Sequence, residues 1–446
     1  MKTISRLRFD ALAGYARHPR TVLSADELGY FSHDGERVLG MVIRDKADND
    51  YAGVVFARDE LLQYRWTSMT EFHASERWAR ALLRPALERA AMAADEEHHQ
   101  GHKQTVPVDF FTSLVPVEQL NTNFRSMTEQ HGFRPARGII EPMMRWYEDA
   151  DGNFVQQFQT TGFDARLWEL YLFAMLVESG FVRQRGFAVP DFIAAGLAGQ
   201  VAIEAVTVNP TLDKAGNVVP PPPVETDEQL EAFLRDYMPI KFAGPLTTKL
   251  AKEYWAKEQT RDMPFTIAIQ DFSAPGSMIV TRPALQLYLY GYDQDIEEKD
   301  GRKIVRPRRV TKHRWNTKEI DSGFFFLPGA ENVSAVLFSS SGTMSKFNRM
   351  GYAAEFDTAG VVMVREGYAY QGKPEAEYFS HKIEPGYRET WIEGLDVYHN
   401  PRAVRPLSEN LLPGAAHHRL LNDGTVASWL PKWHPVGSRT VIAQPV

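Results

Sequence analysis

The chain lacks cysteine, long apolar runs and a recognisable leader, and each absence narrows the range of functions. None of its 446 residues is cysteine, which excludes disulfide bonds, thiolate metal sites and a cysteine nucleophile. The longest apolar candidate, residues 167–181, is shorter than the roughly 20 residues that a membrane-spanning helix needs, and it contains Glu169. The first residues carry no apolar signal-peptide core. We therefore predict a cytoplasmic protein without a membrane partner.

Common nucleotide-binding and nucleophile motifs are missing as well. The sequence has neither GxxxxGK[ST] nor GxGxxG, so NTP hydrolysis and dinucleotide chemistry are not expected. The serine run at residues 339–341 lies outside any GxSxG elbow. A net charge of −7 means that any nucleic-acid site must be a local basic patch on an acidic body.

Apolar patterning divides the chain into three units of mixed α/β character. For residues 1–150 we predict an N-terminal α+β domain, because alternating apolar residues in 38–45 and 51–58 indicate strands and a helical pattern follows. We expect this domain to recognise a substrate or a partner. Residues 151–300 predict the core of the protein. Residues 301–446 begin with a strongly basic stretch, interpreted as a loop, and then form a C-terminal extension or continue the core sheet.

The core unit alternates apolar helices with buried strands. We predict a turn at 151–153 followed by a strand, and then a helix that begins at Asp164 and ends at Gly180. The elements expected after it are short strands around 181–186 and 190–196, a covered central strand at 201–209, helices in 228–238 and 245–258, and a buried strand at 263–272. This order indicates a central sheet flanked by helices.

Three acidic residues stand where acids are rare. Glu169 lies in the apolar run of the predicted helix, Asp191 follows a proline in AVPDFIAAG, and Glu204 is at the centre of VAIEAVTV. An ionised carboxylate taken out of water costs several kcal/mol or more unless it is paired or bound to a metal. Three of them within one apolar region therefore indicate a site for a divalent cation.

The residues PD…E resemble the motif of the PD-(D/E)xK phosphodiesterase superfamily of restriction, repair and defence nucleases. The predicted order of one helix, three strands, a helix and a strand resembles that superfamily as well. The resemblance covers roughly residues 150–290, and the flanking regions resemble bacterial proteins of unassigned function. It implies a restriction-endonuclease-like α/β core with a central mixed sheet, and Mg²⁺- or Mn²⁺-dependent hydrolysis of a nucleic-acid phosphodiester. It also implies DNA rather than RNA as the partner, a role in bacterial defence, and a homodimer, since many members dimerise to cut two strands.

The resemblance assigns roles to the three acids. Asp191 and Glu204 are the expected metal ligands and catalytic residues, and Glu169 is an outer or water-mediated ligand. Carboxylates are hard oxygen ligands that suit Mg²⁺. A bound Mg²⁺ neutralises phosphate charge and activates water, which are the two needs of phosphodiester hydrolysis.

The chain departs from the superfamily pattern at Val206, where the motif expects a lysine. Some members supply this lysine from the following helix, and here Lys249 and Lys252 are the candidates. They are three residues apart and so project from nearby faces. Lys249 is preferred because it is closer to the helix start expected near the strand ends. If neither lysine reaches the site, the resemblance implies a slow or inactive domain.

A basic stretch follows the core and has two interpretations. Its cations either contact the phosphates of a nucleic acid or balance the acidic run at 293–300 within a solvated loop. The residues concerned are Arg302, Lys303, Arg306, Arg308, Arg309, Lys312, His313 and Arg314.

The same residues also admit explanations without a metal. A salt bridge with Arg166 or Arg183 would explain Glu169, and Pro190–Asp191 also fits an ordinary turn. Two other functions stay open. A catalytically inactive nuclease fold that binds nucleic acid or protein would explain Val206, and an assembly protein would use its basic stretch to bind an acidic partner.

Overall fold

A computed structural model describes residues 1–93, 98, 100–101, 106–147, 152–299 and 302–443, without the side chains of residues 299, 302 and 303. At the centre of the protein is an eight-stranded mixed sheet with helices packed on both faces. A five-stranded antiparallel sheet precedes it in the chain, and a three-stranded antiparallel sheet contains the last strand. The predicted mixed α/β class with a large central sheet is thus confirmed.

Within the described residues, the helices are numbered in chain order as α1 (Arg6–Ala13), α2 (Thr21–Ser24), α3 (Glu76–Met92), α4 (Thr122–Glu129), α5 (Arg134–Trp146), α6 (Phe154–Gln159), α7 (Phe163–Glu178), α8 (Asp227–Ala232), α9 (Met238–Leu250), α10 (Arg282–Tyr290) and α11 (Met344–Ala353). The strands are numbered in the same way as β1 (Lys2–Ile4), β2 (Ala25–His33), β3 (Val38–Asp45), β4 (Tyr51–Arg58), β5 (Tyr64–Met69), β6 (Phe181–Arg183), β7 (Phe192–Gly196), β8 (Gly199–Val208), β9 (Thr211–Leu212), β10 (Val218–Val219), β11 (Phe265–Asp271), β12 (Tyr292–Lys299), β13 (Arg302–Arg309), β14 (Lys312–Trp315), β15 (Lys318–Asp321), β16 (Ala335–Ser339), β17 (Val362–Tyr370), β18 (Ala376–Ile383), β19 (Leu395–His399), β20 (Ala416–Leu420), β21 (Val426–Trp429) and β22 (His434–Ala443).

The N-terminal sheet has the strand order β1-β2-β3-β4-β5, and α3 covers one of its faces. Leu83 of α3 lies over Gly40 and Gly53, where an added Cβ would come within 3.1 and 2.9 Å of its side chain. Glycine at these strand positions lets the helix pack directly on the sheet. Met41 and Phe56 on the other face join the main hydrophobic core, so the N-terminal sheet packs against the helices that follow it.

The central sheet has the strand order β21-β20-β19-β16-β11-β8-β7-β6. The strands β8, β11 and β16 run parallel, whereas β6, β7 and β8 form an antiparallel meander. Every residue of β11 is buried, as expected for a strand covered on both faces. Strands β16, β19, β20 and β21 come from the part of the chain after residue 300, so that part continues the central sheet.

A buried histidine supports the junction between α8 and α9, where Phe233–Tyr237 form a π-helical turn. Pro239 has no N–H to offer to the carbonyl of Arg235, its partner four residues earlier in a regular helix. The His313 ring replaces the missing N–H. Its Nδ1 lies 2.5 Å from the carbonyl oxygen of Arg235, and its Nε2 lies 2.8 Å from Ser322 Oγ. His313 belongs to the basic stretch, yet it is fully buried and joins β14 to this helix.

Two local predictions from the sequence are wrong. The segment after residue 153 forms the helix α6 rather than a strand, because Phe154 and Phe158 lie one helical turn apart and both face the core. The helix expected from Pro245 begins earlier, at Met238, and Pro245 lies inside it. Pro239 lies in the first turn of α9, and the hydrogen bond that it cannot donate to the carbonyl of Arg235 is replaced by the contact with His313.

Candidate metal centre

The register of the β7–β8 hairpin places Asp191 beside Glu204. Phe192, the first residue of β7, pairs with Ile203 of β8, so the residues next to them are neighbours as well. The amide of Asp191 donates to Glu204 Oε2 at 3.3 Å, and the amide of Ala205 donates to Asp191 Oδ2 at 2.7 Å. The two acids that the sequence analysis assigns as metal ligands therefore adjoin each other.

Lys249 joins this pair from α9. Ile203 packs with α7 on one face of the sheet, so Glu204 points to the opposite face, where α9 lies. Lys249 Nζ donates to Glu204 Oε1 at 2.5 Å. Lys252 lies beyond the end of α9, is exposed, and makes no ion pair within the described part of the chain. The structure thus brings one of the two candidate lysines to the site and leaves the other outside it.

Val206 occupies the place where the motif expects a lysine. It lies two residues after Glu204 on the same face of β8 and packs against the core that α9 and α10 form. This covered position favours an apolar side chain. The positive charge beside Glu204 comes from Lys249 instead.

Glu169 approaches from the other face of the sheet, on α7. Its carboxylate accepts two hydrogen bonds from Arg166 Nη1, at 3.0 and 2.8 Å, and one from the Tyr147 hydroxyl at 2.8 Å. Its side chain is almost completely buried. The salt bridge with Arg166 that the sequence leaves open is therefore present. Arg183, the other partner considered for Glu169, does not form this salt bridge. The guanidinium of Arg183 lies 4.9 Å from the centre of the Tyr147 ring.

Burial raises the pKa values of all three acids. Burial, and after it the nearby charge of Asp191, raises the pKa of Glu169 and of Glu204 to about 7. Burial also raises the pKa of Asp191, although the Ala205 amide and Lys249 oppose this shift. Burial lowers the pKa of Lys249, but the carboxylate of Glu204 outweighs it, and the net shift is upward. Asp191 is thus the group that links the other two acids electrostatically.

Asp191 and Glu204 are the adjoining carboxylates that could hold a divalent cation. Mg²⁺ usually keeps several waters and binds proteins through one or two carboxylates together with substrate phosphates. Asp191 Oδ1 accepts no hydrogen bond from the described residues, and a cation beside it would offset the charge of Asp191, which adds to the effect of burial on the pKa values of Glu169 and Glu204. Glu169 stays bound to Arg166. Among the described residues, no group of three or more His, Cys, Asp or Glu side chains is gathered so as to hold a metal ion.

The basic stretch forms parts of two hairpins, so its interpretation as a loop is wrong. The strand β13 pairs with the acidic strand β12, and β14 pairs with β15. The resulting ion pairs are Arg306–Glu297, Arg308–Asp293, Arg308–Asp295, Lys312–Glu319 and Arg314–Glu319. Arg309 lies over the rings of Tyr292 and Phe326, and the side chains of Arg302 and Lys303 are outside the described residues. Acidic partners thus balance much of the positive charge.

A second buried charge cluster, around Glu389, is missed by the sequence analysis. Lys346, Arg349 and Arg365 approach its carboxylate to 3.3, 2.8 and 3.3 Å. Burial opposes the ionisation of Glu389, but Arg349 and the other two cations outweigh it and lower the pKa of Glu389 well below its usual value. The cations come from α11 and β17, so only the folded chain brings them together.

Comparisons of the chain with protein-family models, with curated proteins and with solved structures give no match. Within the described residues, no helix combines the length and the apolar character needed to cross a membrane. We therefore infer the function from the geometry and chemistry of the site, together with the sequence resemblance.

Proposed function

We propose that the protein is a metal-dependent nuclease that hydrolyses nucleic-acid phosphodiester bonds. The observation that carries this proposal is the contact between Asp191, Glu204 and Lys249, which come from the entry to β7, from β8 and from α9. Two adjoining carboxylates that hold a divalent cation, with an ammonium group beside them, are the groups that this hydrolysis needs.

The order of elements supports a restriction-endonuclease-like core. The core elements follow one another as a helix (α7), three strands (β6, β7 and β8), a helical segment (α8–α9) and a strand (β11). The short β9–β10 hairpin is inserted between β8 and α8. The first three strands are antiparallel, and β11 runs parallel to β8. The sequence resemblance depends on the same order. We infer that these elements form the nuclease core within the larger central sheet.

Each side chain of the site has a task in this proposal. Asp191 and Glu204 would hold Mg²⁺ or Mn²⁺, which when bound neutralises phosphate charge and lowers the pKa of a water ligand. Lys249 would orient the attacking water and stabilise the charge that develops on the phosphate. Glu169 would act through water, because Arg166 and Tyr147 already hold its carboxylate.

The substrate and the biological setting in this proposal follow the resemblance rather than the geometry. We propose DNA as the substrate in preference to RNA, a role in bacterial defence, and a homodimer. The basic residues of β13 contact nucleic acid in this proposal only if phosphates displace their acidic partners, such as Glu297 from Arg306.

The test is a cleavage assay with labelled single-stranded DNA, double-stranded DNA and RNA, in the presence of Mg²⁺ or Mn²⁺. Glu204→Gln is expected to abolish cleavage, because it removes a charged metal ligand. Lys249→Met is expected to slow cleavage by about 10²- to 10³-fold, the effect of removing one group that stabilises the transition state. Lys252→Met is the matched control on the same segment and is expected to cleave like the natural protein.

A catalytically inactive nuclease fold that binds nucleic acid or protein is the second candidate, and Val206 in place of the motif lysine favours it. Under this alternative the natural protein cleaves none of the three nucleic acids with either metal, although it is folded. Metal-dependent cleavage that Glu204→Gln abolishes would exclude the alternative. Cleavage that Glu204→Gln leaves unchanged would contradict the proposed site.

A further inference from the structure

A largely apolar cavity of about 510 Å³ lies between α1, α7 and the edge strand β6. Trp391 and Leu411, from the C-terminal part of the chain, also line it. Its volume falls within the range of about 300–1,000 Å³ that is usual for small-ligand pockets. Glu169, Asp191 and Glu204 do not line it, so the cavity is a candidate binding site separate from the acidic cluster.

Aromatic rings form much of the apolar wall of this cavity. Tyr15 stacks on Phe173, with the ring centres 5.4 Å apart and the planes at 11°, and both residues line the cavity. Trp146 and Trp391 line it as well. The face of an aromatic ring carries partial negative charge, so it attracts a cation that lies within about 6 Å of the ring centre. Such a wall suits a ligand that combines an apolar body with a positive charge.

The cavity also contains a carboxylate that makes no ion pair within the described part of the chain. Glu178, the last residue of α7, is exposed and lines the cavity. Its Oε2 accepts a hydrogen bond from the amide of Ile392 at 3.1 Å. The surrounding protein nevertheless raises the pKa of Glu178 to about 7 by burial, and this amide and the charge of Lys346 oppose the shift without outweighing it. A cation bound beside Glu178 would supply the missing countercharge.

Tyr15 connects this carboxylate with the aromatic wall. Burial, and after it the charges of Asp10 and Glu178, raise the pKa of the Tyr15 hydroxyl. The Tyr15 side chain therefore lies within electrostatic range of Glu178 and at the same time stacks on Phe173. One ligand with an ammonium group and an apolar body can thus reach both the carboxylate and the rings.

Four arginines also line the cavity, and three of them have contacts of their own. Asp10 contacts Arg6 and Arg17 at 3.3 and 2.5 Å. The guanidinium of Arg183 lies over an aromatic ring, 4.9 Å from the ring centre. Arg185, just beyond β6, is exposed. A ligand that binds through these arginines instead of Glu178 would be an anion, so the charge of the ligand distinguishes the two modes.

We propose that this cavity binds a small organic cation, whose ammonium group contacts Glu178 and whose apolar or aromatic body packs against the rings of Tyr15 and Phe173. The inference goes beyond the proposed nuclease function and does not depend on it. The ligand would join α1, α7 and the segment around Trp391, because all three contribute to the cavity wall. A ligand that binds only the folded chain stabilises it, so the ligand is also expected to raise the melting temperature.

The test compares three probes that share an indole ring and differ in charge. Tryptamine carries an ammonium group, tryptophol is neutral, and indole-3-acetate is an anion. Their binding to the full chain is measured by calorimetry at about pH 8, where Glu178, with its pKa of about 7, is ionised. Tryptamine is expected to bind at least about tenfold more tightly than tryptophol, the gain from one hydrogen bond to a charged group. Indole-3-acetate is expected to bind more weakly than tryptophol.

Two substitutions and a control separate the carboxylate from the cavity as a whole. Glu178→Gln keeps an acceptor for the amide of Ile392 but removes the charge, and it is expected to weaken tryptamine binding about tenfold with tryptophol binding unchanged. Ala198→Trp adds bulk to the cavity lining from an exposed turn and is expected to weaken the binding of both probes equally. Glu88→Gln, at an exposed position of α3 outside the lining, is the matched control and is expected to bind like the natural protein.

The natural protein alone can overturn the inference. Equal affinity for tryptamine and tryptophol, tightest binding of indole-3-acetate, or no binding of tryptamine at millimolar concentration would each do so. Tryptamine binding that Glu178→Gln leaves unchanged would also overturn it. Glu204→Gln is expected to bind tryptamine like the natural protein, so this result is independent of the outcome of the cleavage assay.

Discussion

Two buried charge clusters of this protein have opposite character. Around Glu389, three cations approach one carboxylate to within 3.3 Å, and its pKa is well below the usual value. Around Asp191, the two neighbouring glutamates have one cationic partner each, and their pKa values rise to about 7. The first cluster has more cations than it needs to keep Glu389 ionised. The second has too few cations to keep the pKa values of its glutamates in their usual range.

This difference is the one we expect between buried charge that stabilises the fold and buried charge that serves a functional site. A carboxylate that its neighbours fully compensate holds elements together, here α11 and β17. A group of acids that repel one another costs stability unless a ligand relieves the repulsion, and perturbed acids of this kind are typical of functional sites. We therefore expect the two clusters to respond in opposite ways when one carboxylate is removed.

The largest effect on stability is expected at the compensated cluster. Glu389→Gln leaves the buried Lys346 and Arg349 without a charged carboxylate partner and leaves Arg365 with Glu393 alone, and we expect it to lower the free energy of unfolding by about 3–5 kcal/mol. Urea denaturation measures this change. Glu377→Gln removes the exposed partner of Lys373 and is the control, with an expected loss below about 1 kcal/mol. A similarly small loss for Glu389→Gln would show that the cluster does not stabilise the fold.

The opposite sign is expected at the acidic cluster around Asp191. Burial is the main cause of the raised pKa values of Glu169 and Glu204, and the charge of Asp191 adds to it. Asp191→Asn removes that charge, and we expect it to stabilise the metal-free protein by about 1 kcal/mol at about pH 8. The asparagine oxygen can still accept the amide of Ala205. Denaturation of the natural protein and the variant, both without metal, measures the difference.

The pH dependence of this gain follows from the direction of the shifts. The folded-state pKa of about 7 for Glu169 and Glu204 lies above the unfolded value of about 4.3, so these groups lower stability as the pH rises through that window. At about pH 5.5 both carry protons and repel Asp191 less, so the gain from Asp191→Asn is expected to shrink. Destabilisation at both pH values would mean that Asp191 serves the fold, as Glu389 does.

The smallest effect is expected at the hairpin of β12 and β13, where the charges are balanced but exposed. The Arg306 side chain is 63% exposed and that of its partner Glu297 is 53% exposed. Arg306→Ala is therefore expected to change the free energy of unfolding by less than about 1 kcal/mol. It is also expected to leave the salt dependence of DNA binding unchanged. A reduced salt dependence would instead show that this hairpin contacts phosphates, as one interpretation of the sequence predicts.

The sequence is most informative where local pattern and chemistry agree. The buried strands around Glu204 and the helix around Glu169 follow from their apolar runs, because an acid in the middle of such a run stands out against its neighbours. Lys249 is preferred over Lys252 by its place in the helix, and the structure puts Lys249 at the site. The segment after residue 153 forms a helix rather than the predicted strand, because Phe154 and Phe158 are spaced by one helical turn and both face the core.

Contacts between distant parts of the chain are beyond the sequence analysis. Tyr147 donates to Glu169 across 22 positions, and no motif marks it. The cations around Glu389 are spread over α11 and β17, and each of them resembles an ordinary surface residue until the chain folds. The sequence leaves open whether the acidic run at 293–300 balances the basic stretch, because it does not specify the antiparallel register that pairs β12 with β13.

The most direct test of the central claim is the binding of Mn²⁺ to the natural protein and to Asp191→Asn, measured by calorimetry at about pH 8, where Glu169 and Glu204 are ionised. We predict that the natural chain binds a single Mn²⁺ ion and that Asp191→Asn loses this binding while remaining at least as stable. No binding by the natural protein at millimolar Mn²⁺, or equal binding by the variant, would contradict the assignment of this acidic cluster as a metal centre.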